Sequence, residues 1–209
     1  MKKVYGVLLL VFCTVIFNSC TNDTNVREDE HLRKQARFIL DGKKAIEEEL
    51  TKKTNTILDL ENLTQQQLDH YLVILGYNPG DMTVPQVLNL IAEANYILEI
   101  GINNYLQYLD YQPFTKEMIL ELASGNIVND FNVYPEFHLL PVNEQDFLKL
   151  CNYILQENIG EQKSWIECPS NTCGAALGFA LGGIGVATCG PVCGGVGFVI
   201  GFIIGTGKG

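Results

Sequence analysis

Histidine is scarce in this chain, and so are the patterns that would make one useful. His31, His70 and His138 are the only three. None stands at metal-ligand spacing from a cysteine, aspartate or glutamate, so the sequence offers no metal centre. A GxSxG elbow, an HExxH pair and a phosphate loop followed by Lys and Ser or Thr are all missing. Glycine pairs such as Gly183-Ile-Gly185 lack the strand–turn–helix setting of a nucleotide fingerprint. The acids from Glu47 to Glu49 sit on a charged helix face, where solvation explains them. A Cys151 pair with His70 or His138 is available by arithmetic, but any chain with three histidines and a spare thiol offers as much. These absences argue against an enzyme and imply neither cofactor nor metal.

Positive charge is scarce too. Lys and Arg number 14 against 24 Asp and Glu, for a net charge of −10. Between Thr54 and Thr115 there are seven acids and no Lys or Arg. A nucleic-acid partner needs the opposite sign and is excluded. Solubility is the ordinary use of such a surface; repulsion from anionic surfaces or attraction to a cationic partner is the functional one.

Charge of either sign then disappears. From Cys168 to Gly209 the only charged residue is Lys208, and the stretch holds 13 of the 20 glycines. Gly174, Gly178 and Gly182 recur every fourth residue, and Gly197, Gly201 and Gly205 repeat the pattern. That spacing puts each trio on one side of a helix, leaving a groove into which another backbone can press. Glycine costs about 1 kcal/mol against alanine inside a helix, so such a segment is a poor helix alone in water. The stretch from Cys173 to Thr188 would be roughly 24 Å long as a helix and that from Val192 to Ile204 roughly 20 Å. Both fall short of the ~30 Å core of a bilayer. Pro191 breaks the run between them. A helical hairpin with small-residue contact faces is expected, buried in lipid or against protein. Val196 to Ile204, rich in β-branched and aromatic residues, leaves a strand-forming alternative open.

The middle of the chain reads as helices. Leu32, Ala36, Ile39, Leu40, Ile46 and Leu50 recur at three- and four-residue steps. Thr64 with Gln67, Thr83 with Gln86 and Asn143 with Asp146 have capping-box spacing, and Thr115 has the staple pair Phe114 and Ile119. Helices are expected over 64–75, 84–110, 115–124 and 143–157, with Gly76 and Gly125 at helix stops. Residues 126–141, with Phe131, Tyr134, Pro135 and Phe137, should form a loop folded over them. The fold class is all-α: a bundle of about five helices followed by a Gly-rich C-terminal helical hairpin.

Residues 1–19 read as a secretory signal, with Lys2 and Lys3 ahead of the apolar run Val7 to Phe17. Ser19 precedes Cys20, and polar, acid-bearing sequence follows. This arrangement resembles the lipobox of bacterial lipoproteins. The resemblance implies cleavage before Cys20 and acylation of that residue, hence a cell-envelope location, lipid-anchored at the outer membrane, with several acyl chains holding firmly. With Cys13 and Cys20 so accounted for, five cysteines remain. Export favours disulfides. A helix over 173–188 would hold its ends too far apart to pair, so Cys168–Cys173 and Cys189–Cys193 are the expected bridges. A CxxxxC–CxxxC metal site is the rival. Cys151 is left as a buried thiol.

The C-terminal run, with Gly174-Ala-Ala-Leu-Gly178, Gly190-Pro191 and Gly205, resembles two families. One is the class II bacteriocins, which insert into target membranes and leak ions. The other is the glycine-zipper segment of envelope lipoproteins, where short paired helices pack in or on a membrane. The expected division is a signal (1–19), a tether (20–30), an acidic helical domain (31–161) and a Cys-braced glycine-zipper hairpin (162–209). The expected partners are membrane lipid and a second copy of the chain through its Gly-rich helices. The role is structural or interactive, with a membrane-permeabilising antibacterial protein as the alternative.

Overall fold

The computed structural model describes residues 29–49, 63–158 and 174–205. Among them are eight α-helices and two 3-10 turns, with no strand. The signal, Cys20, Cys168 and Cys173 lie outside the described residues, and of Gly174 and Cys189 only the helical backbone is described. The fold is all-α.

Helix α1 (29–49) forms because Leu32, Ala36, Ile39 and Ile46 return to one side and are all buried there. It runs unbroken through Gly42, where a Cβ would stand 2.5 Å from the Leu75 side chain. Polar contacts tie it to α6 (Val142–Glu157): Lys149 pairs with Asp29 at 3.1 Å, Arg37 with Glu157 at 3.0 Å, and Arg33 lies 4.2 Å above the Tyr153 ring. The Arg37 guanidinium holds the Glu157 carboxyl below its usual range. Arg37 is 61% exposed, so solvent screens the pair and it adds little to stability.

Helix α2 (Gln65–Ile74) starts at the Thr64 box: the Gln67 N–H donates to Thr64 Oγ1 at 3.3 Å, and the Thr64 N–H to Gln67 Oε1 at 2.9 Å. Helix α3 (Val84–Ile100) starts the same way, the Thr83 N–H donating to Gln86 Oε1 at 2.8 Å. The continuous element expected over 84–110 is two helices. Gly101 has φ +81, which ends α3 and turns the chain into α4 (Ile102–Tyr108). Tyr105 on α4 donates to Glu93 on α3 at 2.6 Å, fixing the bend.

Helix α5 (Pro113–Ala123) begins two residues before Thr115, with Pro113 in its first turn. Its cap comes from another helix. The buried Glu144 carboxylate of α6 accepts from the Gln112 N–H at 3.1 Å and from the Thr115 hydroxyl. Helix α6 itself begins at Val142 after Pro141, so neither Thr115 nor Asn143 is a cap.

Residues 126–141 cover the bundle through two 3-10 turns, Phe131–Val133 and Pro135–Leu139, with Phe131 and Phe137 stacked at 4.7 Å. Buried Asn152 holds their entrance by accepting from the Val128 N–H at 2.9 Å and donating to its carbonyl at 2.8 Å. Asn152→Ala leaves both backbone groups dry and unpaired, and should cost about 2–3 kcal/mol in urea unfolding. A loss below experimental error would show that water replaces the side chain there.

Candidate functional site

Helix α7 (Gly174–Cys189) and helix α8 (Pro191–Gly205) are joined by Gly190 alone, at φ +87. Their contacts run antiparallel. A Cβ at Gly185 would meet the Cys193 carbonyl, one at Gly182 the Phe198 ring at 2.5 Å, and one at Gly178 the Phe202 ring. From the other side, a Cβ at Gly197 would meet the Leu181 carbonyl and one at Gly201 the Gly178 Cα at 2.5 Å. The two backbones therefore touch, and only hydrogen fits between them.

Four of the six zipper glycines come together in this way: Gly178 and Gly182 on α7, Gly197 and Gly201 on α8. Gly174 opens α7 and Gly205 closes α8, half-buried. Spacing alone does not reveal the work of the glycines between them. Gly183 lies against the Tyr111 hydroxyl and the Phe147 ring, and Gly195 against the Tyr77 hydroxyl. Each glycine admits a tyrosine from a connection between the surrounding helices, and burial pushes both phenols above their ordinary range.

The hairpin is the centre of the molecule. Helix α7 lies against α3, α4 and α5, and α8 against α3. Phe179, Phe198 and Phe202 are fully buried, with ring centroids 6.0–6.3 Å apart, and Phe147 of α6 joins them 6.1 Å from Phe198. Each buried phenylalanine contributes about 2–3 kcal/mol of apolar burial. One apolar cluster runs from Leu32 to Ile203, across the junction at residue 161. Residues 174–205 carry no Asp, Glu, Lys or Arg. Among the described residues, no helix is long and apolar enough to cross a membrane.

The chain matches no known protein family, curated protein or solved structure. The site must be read from its own residues. Cys193 is buried and disulfide-bonded. Cys151 is free and fully buried on α6, and burial holds its thiol well above the usual range, so it carries no thiolate. Among the described residues, no three of His, Cys, Asp and Glu stand close enough to hold a metal. His70 pairs with Glu49 at 3.2 Å, and His138 edges the Phe137 ring. Neither stands near Cys151 in any bond that the structure records.

Proposed function

We propose that this is an exported envelope protein, lipid-anchored at Cys20, whose glycine-zipper hairpin associates with membrane. In this reading the acidic helices form a bundle of about five, the hairpin follows it, and the role is structural or interactive. Bridges Cys168–Cys173 and Cys189–Cys193 brace the hairpin.

One observation carries the proposal: 32 consecutive residues without a charge (174–205) fold as paired helices whose backbones touch at Gly178 and Gly201. Backbone contact through small residues holds helices together where the surroundings are as apolar as the side chains. In water, larger side chains pack as well without glycine's helix cost of about 1 kcal/mol per residue. The lipobox-like residues ahead of Cys20 supply the anchor.

Metabolic palmitate labelling tests the location. The intact protein should take up label, Cys20→Ala should abolish it, and globomycin should leave an uncleaved precursor. An unlabelled wild-type chain would refute the anchor.

A second reading, a bacteriocin-like permeabilising protein, is favoured by the way the acidic helices wrap the hairpin and mask it. Release of dye from loaded vesicles separates the two: leakage supports the permeabilising role, and binding without leakage supports the envelope role.

A further inference from the structure

A cleft of about 620 Å³ lies between α5 and the segment that follows it, lined by residues between 113 and 136 alone. Buried Met118 and half-buried Phe114, Ile127 and Tyr134 give it an apolar lining. The Phe114 and Tyr134 rings meet there at 5.7 Å, tilted by 48°. Around them stand three exposed carboxylates, Glu117 and Glu121 from α5 and Glu136 from the second 3-10 turn.

These acids are badly placed for the stability of the chain itself. Glu117 and Glu121 are four apart on one helix, where like charges repel. Glu121 stands in the last turn of α5, at the negative end of the helix dipole, and no basic residue accompanies it. It accepts from the Asn126 amide at 2.6 Å, a neutral donor. The Glu117 and Glu136 side chains bond to nothing among the described residues. Lys116, outside the cleft lining, is the one basic residue between 111 and 137, against four acids. Solubility accounts for exposed carboxylates, but not for half-exposed rings set between them. Local stability given up at the mouth of a cleft is the pattern of a binding site.

We infer that this cleft holds an arginine-bearing segment of another protein. A guanidinium meets both of its features at once: the planar fork pairs with a carboxylate, and the flat face stacks on an aromatic ring. Lysine brings a point charge without the fork. Glu117 and Glu121 lie roughly 6 Å apart along the helix, so the rim offers more than one cation position. The volume exceeds that of a single side chain, and the apolar lining takes an apolar neighbour of the arginine. The ligand is therefore a basic, partly apolar peptide and not a lone cation. No residue of the hairpin lines the cleft, so the assignment stands apart from the membrane reading.

The test uses the chain from residue 20 with Cys20→Ala and a fluorescein-labelled peptide alternating arginine with leucine. Binding is read by fluorescence anisotropy at physiological ionic strength. Glu117→Gln, Glu121→Gln and Glu136→Gln together should weaken it by about tenfold or more, as the charge-assisted bonds are lost. Asp41→Asn, Glu99→Gln and Asp110→Asn remove the same charge from exposed positions elsewhere and should change it by less than about twofold, because salt screens distant charges. Tyr134→Leu should weaken it severalfold through the lost ring face. Because the three acids repel one another, their triple variant should resist urea at least as well as the parent. A clear fall in its stability would assign the carboxylates to the fold and overturn the proposal. Equal losses in the two triple variants would mean general attraction to an acidic protein, and the proposal falls. It falls too if the same peptide with lysine for arginine binds as tightly, or if N-acetylarginine amide does, which would make the cleft a small-cation pocket. A parent chain that does not bind the peptide overturns the proposal and leaves the palmitate result untouched.

Discussion

Alanine at position 201 is expected to destabilise the protein by roughly 3 kcal/mol or more, at the upper end of what overpacking does. Its Cβ would stand 2.5 Å from the Gly178 Cα and 2.6 Å from the Gly178 N, both backbone atoms. A side chain can rotate away from such a clash; a helix backbone cannot move without carrying its whole face. The helix-propensity gain from losing a glycine, about 1 kcal/mol, acts in the opposite direction and is too small to win. Gly42→Ala is the comparison: its clash is with the end of the Leu75 side chain, and the same gain should bring it close to neutral. Urea midpoints at constant slope measure both. Equal stability of the Gly201→Ala and wild-type proteins would mean that the two backbones stand further apart than described.

Phe202→Ala should cost about 3–5 kcal/mol, since it empties a fully buried ring site between Phe179 and Phe198. The partner change gives the more discriminating result. A Cβ at Gly178 meets only the Phe202 ring among its three nearest atoms. Gly178→Ala alone is therefore destabilising, but in the Phe202→Ala background the added methyl points into vacated space. The double variant should be more stable than the sum of the two single losses by at least about 1 kcal/mol, the coupling usual for residues in contact. Strict additivity would mean that the ring and the glycine do not share that space.

Several of these features are legible from residue spacing. Thr64 and Thr83 announce α2 and α3 because a capping box is local: both partners lie within three residues, and no distant element need cooperate. Thr115 and Asn143 mislead for the converse reason. The helix at 113 takes its cap from Glu144, some thirty positions away, and residue-by-residue spacing cannot register an acceptor supplied by another helix. Gly101 is ambiguous in sequence, since a glycine within an apolar run is tolerated in many helices; only the observed φ of +81 makes it a break. In the hairpin, the four-residue period of Gly178, Gly182, Gly197 and Gly201 shows that a backbone approaches there. It does not show what lies on the remaining faces, because Phe179, Leu181 and Val199 pack equally well against lipid or protein. The Tyr111 and Tyr77 hydroxyls against Gly183 and Gly195 show that in this state those faces meet protein.

That central position has a consequence for the order of events during synthesis. The aromatic filling of the bundle, Phe179, Phe198 and Phe202, lies in the last described stretch of chain to leave the ribosome. Helices α1 to α6 emerge first around a missing middle and cannot settle into their final packing until it arrives. The hairpin contacts join residues close in sequence, so the closing step is fast once its material is available. Until then the upstream chain stays loose and unlocked, the condition in which a polypeptide can be threaded through a narrow channel.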